Sequence, residues 1–154
     1  MSEARAAYAR AARARADLLY AGVVTPHRSC GIALAETFGL PSASYQALRR
    51  GGITGEGTCG AIGAGVLVLG ELLGDPSPTG APTPALRAAI PQYRASIAAK
   101  LDHAPDTSCN VRTGGFASFA GADRAAYCTS VAAVVAETVA EVLWDAGVVR
   151  PISG

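Results

Sequence analysis

The sequence predicts an all-α protein, a single-domain bundle of five or six helices spanning residues 1–154. Three observations carry that reading. Sustained alternation of β-branched or aromatic residues with polar ones is absent, so strand signals are nearly missing. Helix start and stop residues recur along the chain. The chain of 154 residues, half of them apolar, is long enough for one buried core and too short for two.

The elements follow in order. An Ala- and Arg-rich helix is predicted from Glu3 to Ala21, with Gly22 as its stop. Thr25-Pro26 has the form of an N-cap followed by proline at the first helical position, predicting a second helix through Cys30, Leu34 and Phe38 to Gly39. A short third helix runs from Ser42 or Ser44 to Arg50, and Gly51 to Thr58 reads as a glycine-rich loop. A fourth helix spans about Thr58 to Leu73. Asp75 to Pro82 is a loop by composition. Thr83-Pro84 opens a fifth helix, which Pro91 kinks or restarts. A polar connection from Asp102 to Gly121 precedes a last long helix, from near Asp123 to Gly147. Tyr127, Val131, Val134, Val135, Val139, Val142 and Leu143 mark its buried face.

Composition excludes several function classes. Thirteen basic residues balance twelve acidic ones, so the chain has no electrostatic footprint for nucleic acid. Aromatic residues make up only 6%, too few for base-stacking platforms. The longest apolar run, Ala61 to Gly70, is far below the ~20 residues of a membrane span. The N-terminal segment lacks the continuous apolar core of an export signal, and the cytoplasm is the expected compartment.

The four cysteines, Cys30, Cys59, Cys109 and Cys128, are the most informative residues. No Cys-x-x-Cys is present, so zinc-ribbon and thioredoxin signatures are excluded, and any joint site must be assembled by the tertiary fold. Buried cysteines also serve as small hydrophobes. Position argues for more. Cys59 follows Thr58 at a predicted helix start, where unpaired N–H groups lower a thiol pKa. Cys30 lies in the first turns of its helix, Cys109 in the polar connection, and Cys128 on the valine stripe of the last helix, pointing inward. Gly57, Gly60, Gly63 and Gly65 crowd around Cys59, which implies close approach of either another helix or a cofactor.

The runs Cys30-Gly-Ile-Ala-Leu-Ala-Glu-Thr-Phe-Gly and Gly51-Gly-Ile-Thr-Gly-Glu-Gly-Thr-Cys59-Gly-Ala-Ile-Gly-Ala-Gly are followed by Cys109 and by Cys128 in a Val/Ala-rich helix. Together they resemble the C-GCAxxG-C-C family of small four-cysteine redox-active proteins. The resemblance covers about Ala14 to Leu143 and carries over Cys30, Cys59, Gly60, Ala61, Cys109 and Cys128. Ala64 stands where the motif's last glycine is expected, and Ser29 precedes the first cysteine where relatives often have Asn. A related domain occurs fused to cytochrome-type redox proteins, so the resemblance implies electron transfer and an iron–sulfur centre.

Three functions are therefore expected in turn. The first is a redox protein with Cys30, Cys59, Cys109 and Cys128 holding an iron–sulfur cluster beside Gly60. The second is a cofactor-free dithiol relay, with Cys59 attacking and Cys30 resolving. The third is a zinc-stabilised binding domain without turnover. A redox partner protein is expected, the chain could also self-associate, and neither nucleic acid nor membrane insertion is expected. His27 and His103 are auxiliary ligand candidates that read more simply as surface or capping residues. Arg49 and Arg50 could hold an anion beside the glycine loop, although a phosphate loop would need a lysine that is missing. Trp144 and Tyr127 read as core, and Glu137 and Glu141 as a solvated face.

Overall fold

A computed structural model describes the whole chain, Met1–Gly154. The all-α expectation holds: 63% of the residues are helical and there is no strand. Seven α-helices are formed rather than five or six. They are α1 (Glu3–Ala21), α2 (Cys30–Thr37), α3 (Arg49–Gly52), α4 (Gly60–Leu73), α5 (Pro84–Lys100), α6 (Cys109–Thr113) and α7 (Ala122–Asp145), and a 3-10 helix, Ala43–Leu48, leads into α3. The short third helix expected up to Arg50 forms as the 3-10 helix followed by α3, and α6 is an added turn in the expected polar connection, too short to carry a hydrophobic period.

Capping fixes the long helices. The Ser2 hydroxyl accepts from the Arg5 N–H at 3.1 Å, and Gly22 ends α1 in the left-handed conformation. Thr83 caps α5 by accepting from the Leu86 N–H at 3.1 Å, with Pro84 at the first helical position as expected. Pro91 neither breaks nor restarts α5, which continues to Lys100. Thr25-Pro26 does not open a helix. The Arg28 N–H donates to the Leu19 carbonyl at 2.9 Å and His27 packs onto Gly22, so this segment closes the end of α1. The second helix starts only at Cys30, behind an extended Ser29.

The core forms where α1, α2, α4 and α5 pack around α7, with α1 along α7 as the most extensive pairing. Alanines make that pairing close: Ala9, Ala12 and Ala16 on α1, and Ala132, Ala136 and Ala140 on α7, are all buried. Leu34, Phe38, Leu69, Tyr93, Ile97 and Leu143 fill the centre. Each such side chain contributes roughly 1.5–3 kcal/mol relative to exposure. By length and composition α7 alone could cross a membrane, and it is the central core helix here.

Glu137 and Glu141 are not a solvated face. Arg13 reaches Glu137 at 3.1 Å and Lys100 reaches Glu141 at 2.7 Å, so these carboxylates bridge α7 to α1 and α5. Arg5 adds a paired contact to Asp145 at 2.8 and 2.9 Å. Its hydrogen bonds hold the Asp145 carboxyl below the usual range against the opposing effect of burial, with Gln92 assisting. A lowered folded-state pKa contributes stability above the unfolded value of about 4 and loses it as pH falls through the folded value. Denaturant titrations between pH 6 and pH 2 should show Asp145→Asn with a shallower acid-side loss than the parent protein.

Tyr93 is fully buried, and its hydroxyl donates to the Ile62 carbonyl at 2.8 Å. Gly65 leaves the room for that ring, since a Cβ there would collide with the phenol. Tyr93→Phe should lower stability by about 1 kcal/mol, the net worth of the hydrogen bond. Gly65→Ala should cost more than Tyr93→Phe because the ring is displaced. Chemical denaturation of the two variants provides the ranking.

Candidate functional site: a cysteine-lined cavity

Each cysteine sits at a defined place in a different helix. Cys30 is the first residue of α2, Cys59 the N-cap of α4, Cys109 the first residue of α6, and Cys128 one turn and a half into α7. Cys109 was expected in a connection. The Ser108 hydroxyl instead caps a short helix there, accepting from the Val111 N–H at 3.2 Å. All four cysteines are free and line a single cavity of about 280 Å³. Gly60 and Ala61 line it too.

The close approach anticipated around Cys59 is made by Cys30. A methyl on Gly60 would lie 2.6 Å from the Cys30 sulfur and would also strike the Leu48 carbonyl. The Gly31 and Arg50 backbone amides donate toward the Cys30 sulfur, and those of Ala61 and Ile62 toward Cys59. Ala64, the departure from the family motif, is fully buried within α4, and Gly65 beside it is where Tyr93 enters.

The backbone that carries Arg50 is unusual. Arg50, Gly51, Gly52 and Ile53 all have positive φ, of 51°, 61°, 76° and 74°. Arg50 and Gly51, at ψ 47° and 50°, lie in the left-handed helical region, which costs a non-glycine residue roughly 1–2 kcal/mol. The contacts explain why it persists. A Cβ at Gly51 would sit 2.7 Å from the Cys109 Cβ, so this position can only be glycine. The Gly57 N–H donates to Gly51 O at 3.0 Å, and the Cys109 and Asn110 N–H groups donate to Gly57 O and Gly55 O at 2.9 and 2.8 Å. The glycine loop thus ties the left-handed turn to the start of α6 and fixes Cys109 opposite Cys30.

Electrostatics at the thiols depart from expectation. Cys59 was expected to have a lowered pKa from its helix N-terminus. Burial instead pushes it up to about 11, outweighing the pull of the Ile62 and Ala61 amides. Burial likewise raises Cys30 and Cys109. Neighbouring cysteines add to the effect: Cys128 and Cys109 act on Cys30, Cys30 on Cys59, and Cys128 on Cys109. In the absence of a cation, Cys30, Cys59 and Cys109 stay protonated at neutral pH.

Several cavity residues were not singled out by sequence reasoning. Arg112 lies three positions after Cys109, and Arg124 four before Cys128, so helical spacing alone places each on its cysteine's face. Arg112 donates to Ala104 O at 2.9 Å and to Asp102 at 3.3 Å. Arg124 donates to Phe119 O and, at 3.1 Å, to the Tyr20 hydroxyl, and it reaches the Cys128 thiol. Tyr20 and Phe119 carried no sequence signal, and Ser29 was marked only as the motif position before Cys30. Tyr127, expected in the core, lines the cavity and donates to Asp102 at 2.8 Å.

His27 lines the cavity, with Nδ1 2.5 Å from the Tyr20 carbonyl and its ring edge-on to Tyr20. A carbonyl partner makes Nδ1 the protonated nitrogen. His103 is not in the cavity wall and pairs with Asp102 at 3.5 Å.

No three His, Cys, Asp or Glu side chains stand as a ready-made ligand set around one ion. A tetrahedral zinc site with Zn–S bonds of about 2.3 Å would need such convergence. The four cysteines line the cavity without forming such a set. Comparison of the chain with protein-family models, with curated proteins and with solved structures finds no match in any of the three.

The raised pKa makes Cys59 a slow nucleophile. In reduced, metal-free protein at pH 8, its alkylation by iodoacetamide should be on the order of a hundredfold slower than that of an ordinary free thiol. The rate should climb steadily toward pH 11. Mass-spectrometric mapping of each cysteine across that range would check it, and rapid modification of Cys59 at pH 7 would contradict the assigned burial.

Proposed function

We propose that this is a small redox protein whose four cysteines together hold an iron–sulfur cluster and pass electrons to a partner protein. One observation carries the reading: cysteines from four helices, spread across nearly a hundred residues, line one cavity. The resemblance to the C-GCAxxG-C-C family, carried by the same four cysteines, points the same way. Cys₄ ligation is the usual arrangement for such clusters, and the bound cluster would supply reversible one-electron transfer.

The chain's own residues have definable parts. Cys30, Cys59, Cys109 and Cys128 would be the ligands. The Gly31 and Arg50 amides on Cys30, and the Ala61 and Ile62 amides on Cys59, draw charge from those sulfurs and favour the more negative, reduced state. Gly60 keeps the Cys30 side clear. Ala61 and Val131 supply apolar wall. Because burial holds Cys30, Cys59 and Cys109 protonated, loading must release protons and strengthen as pH rises.

A second reading has one specific observation in its favour. The Cys30 sulfur packs against Gly60, next in sequence to Cys59. That contact would suit a Cys30–Cys59 relay, in which the two thiols become one disulfide as a partner's disulfide takes up their two electrons and two protons and is reduced to two thiols.

Anaerobic reconstitution with iron and sulfide separates the two. A shared cluster requires that Cys→Ser at each of the four positions weaken or abolish the visible absorbance and iron content. Losses in double variants should not add, since a cluster already gone cannot be lost again. A relay would instead make only Cys30→Ser and Cys59→Ser abolish thiol exchange. Wild-type protein that remains colourless would overturn the cluster reading.

A further inference from the structure

We infer that the cavity admits a small anionic substrate, bearing two or three equivalent oxygens, through an arginine-framed mouth that leads directly to the cysteines. The inference deepens the redox reading of the same cavity and rests on it for the chemistry that follows binding.

The wall divides into a floor and a rim. Ser29, Gly60, Ala61, Cys109, Arg112 and Thr113 are buried, whereas His27, Arg49, Arg50, Ile53 and Phe119 are exposed. The cavity therefore opens to solvent, and the rim decides what enters. Ile53 is 61% exposed and Phe119 39%, an apolar frame beside the guanidiniums. Arg50 and Arg124 both stack on the Phe119 ring, with centroid distances of 4.6 and 4.2 Å, which holds two cations at the opening.

The cations lack counter-charge. No Asp or Glu lines the cavity. Arg49, Arg50 and Arg124 make no ion pair and stand together on one cavity wall, whereas the other unpaired arginines, Arg15, Arg87 and Arg150, lie away from it.

Two floor groups await a partner. Arg112 is only 4% exposed and its Nε has no acceptor, although its terminal nitrogens are satisfied. Ser29 is 6% exposed with its Oγ unpaired. Leaving a buried polar group unmatched costs about 1–3 kcal/mol. Guanidinium forks match carboxylate and phosphate-like oxygens in pairs. A volume of about 280 Å³ restricts the guest to a small molecule.

Charge selectivity of thiol alkylation tests this without knowledge of the natural substrate. The full-length chain, reduced and metal-free, is treated at pH 9 and low salt with iodoacetate or iodoacetamide, which differ in charge and little in size. The ratio of the two rates at each cysteine is divided by the same ratio for mercaptoethanol. An arginine mouth should raise this quotient on the order of tenfold, as electrostatic focusing does for other anionic ligands. Inorganic phosphate at millimolar concentration should suppress the iodoacetate rate selectively, beyond what matched chloride does. Arg50→Gln with Arg124→Gln should return the quotient to one, and Arg50→Lys with Arg124→Lys should retain most of it. If the glutamine variant unfolds, the lysine variant and the phosphate titration of wild type decide. A wild-type quotient near one, or one that phosphate leaves unchanged, would overturn the inference. Because no iron is present, a failure to assemble a cluster leaves this result standing, and a lost charge preference leaves the cluster reading standing.

Discussion

The structure depends on the close approach of Cys30 to the start of α4. The Cys30 sulfur occupies the space where a side chain at position 60 would lie, so α2 and α4 begin side by side. That contact fixes the separation of two of the four thiols and places the Arg50 amide, on the turn between the two helices, at the Cys30 sulfur. The left-handed turn at Arg50–Ile53 follows from the same constraint. A right-handed continuation would carry the glycine loop away from α6 and leave Cys109 without its backbone partners. Strain at Arg50 and Ile53 is thus held by the hydrogen bonds that bring Cys109 to the cavity.

Burial and charge are set against one another around this point. Three of the thiols stand at helix starts, where an N-terminal amide cluster favours a thiolate. At Cys59 desolvation exceeds that pull, and its thiol partner Cys30 adds to the penalty. The arginines at the rim act in the opposite sense, as they lower Cys109 from a distance. An arrangement of this kind has little use as a bare nucleophile. It is suited to holding negative charge once a compensating group enters, because the amides, guanidiniums and apolar wall are already in place and need no reorganisation.

Much of the fold was legible in the sequence because its long helices announce their ends. Gly22, Thr83 and Pro84 act through local chemistry, and local chemistry is what a sequence displays. The joint placement of the cysteines was legible for a different reason: helix starts and an inward stripe constrain where a side chain can point. Thr25-Pro26 misled because its capping signal is real but was overridden by His27 packing on Gly22. Of the two readings of Pro91 the restart is excluded, because a proline inside a long helix leaves it continuous when neighbouring packing outweighs the lost hydrogen bond. The pKa of Cys59 was misjudged for want of a burial term, which belongs to tertiary structure. Tyr20 and Phe119 were invisible because nothing in their spacing ties them to a cysteine.

The distribution of arginine carries the argument furthest. Elsewhere the protein neutralises most of its cations with carboxylates, as Arg5 with Asp145 and Arg13 with Glu137 between α1 and α7. At the cavity it leaves Arg49, Arg50 and Arg124 together without such partners and stacks Arg50 and Arg124 on the Phe119 ring. Self-repulsion among those guanidiniums opposes folding. The cations are therefore better explained by what the cavity receives than by what holds the bundle together. Spatial order supports the same conclusion: thiols and orphaned donors lie inward, unpaired cations at the opening, and ion-paired cations on the helix faces behind.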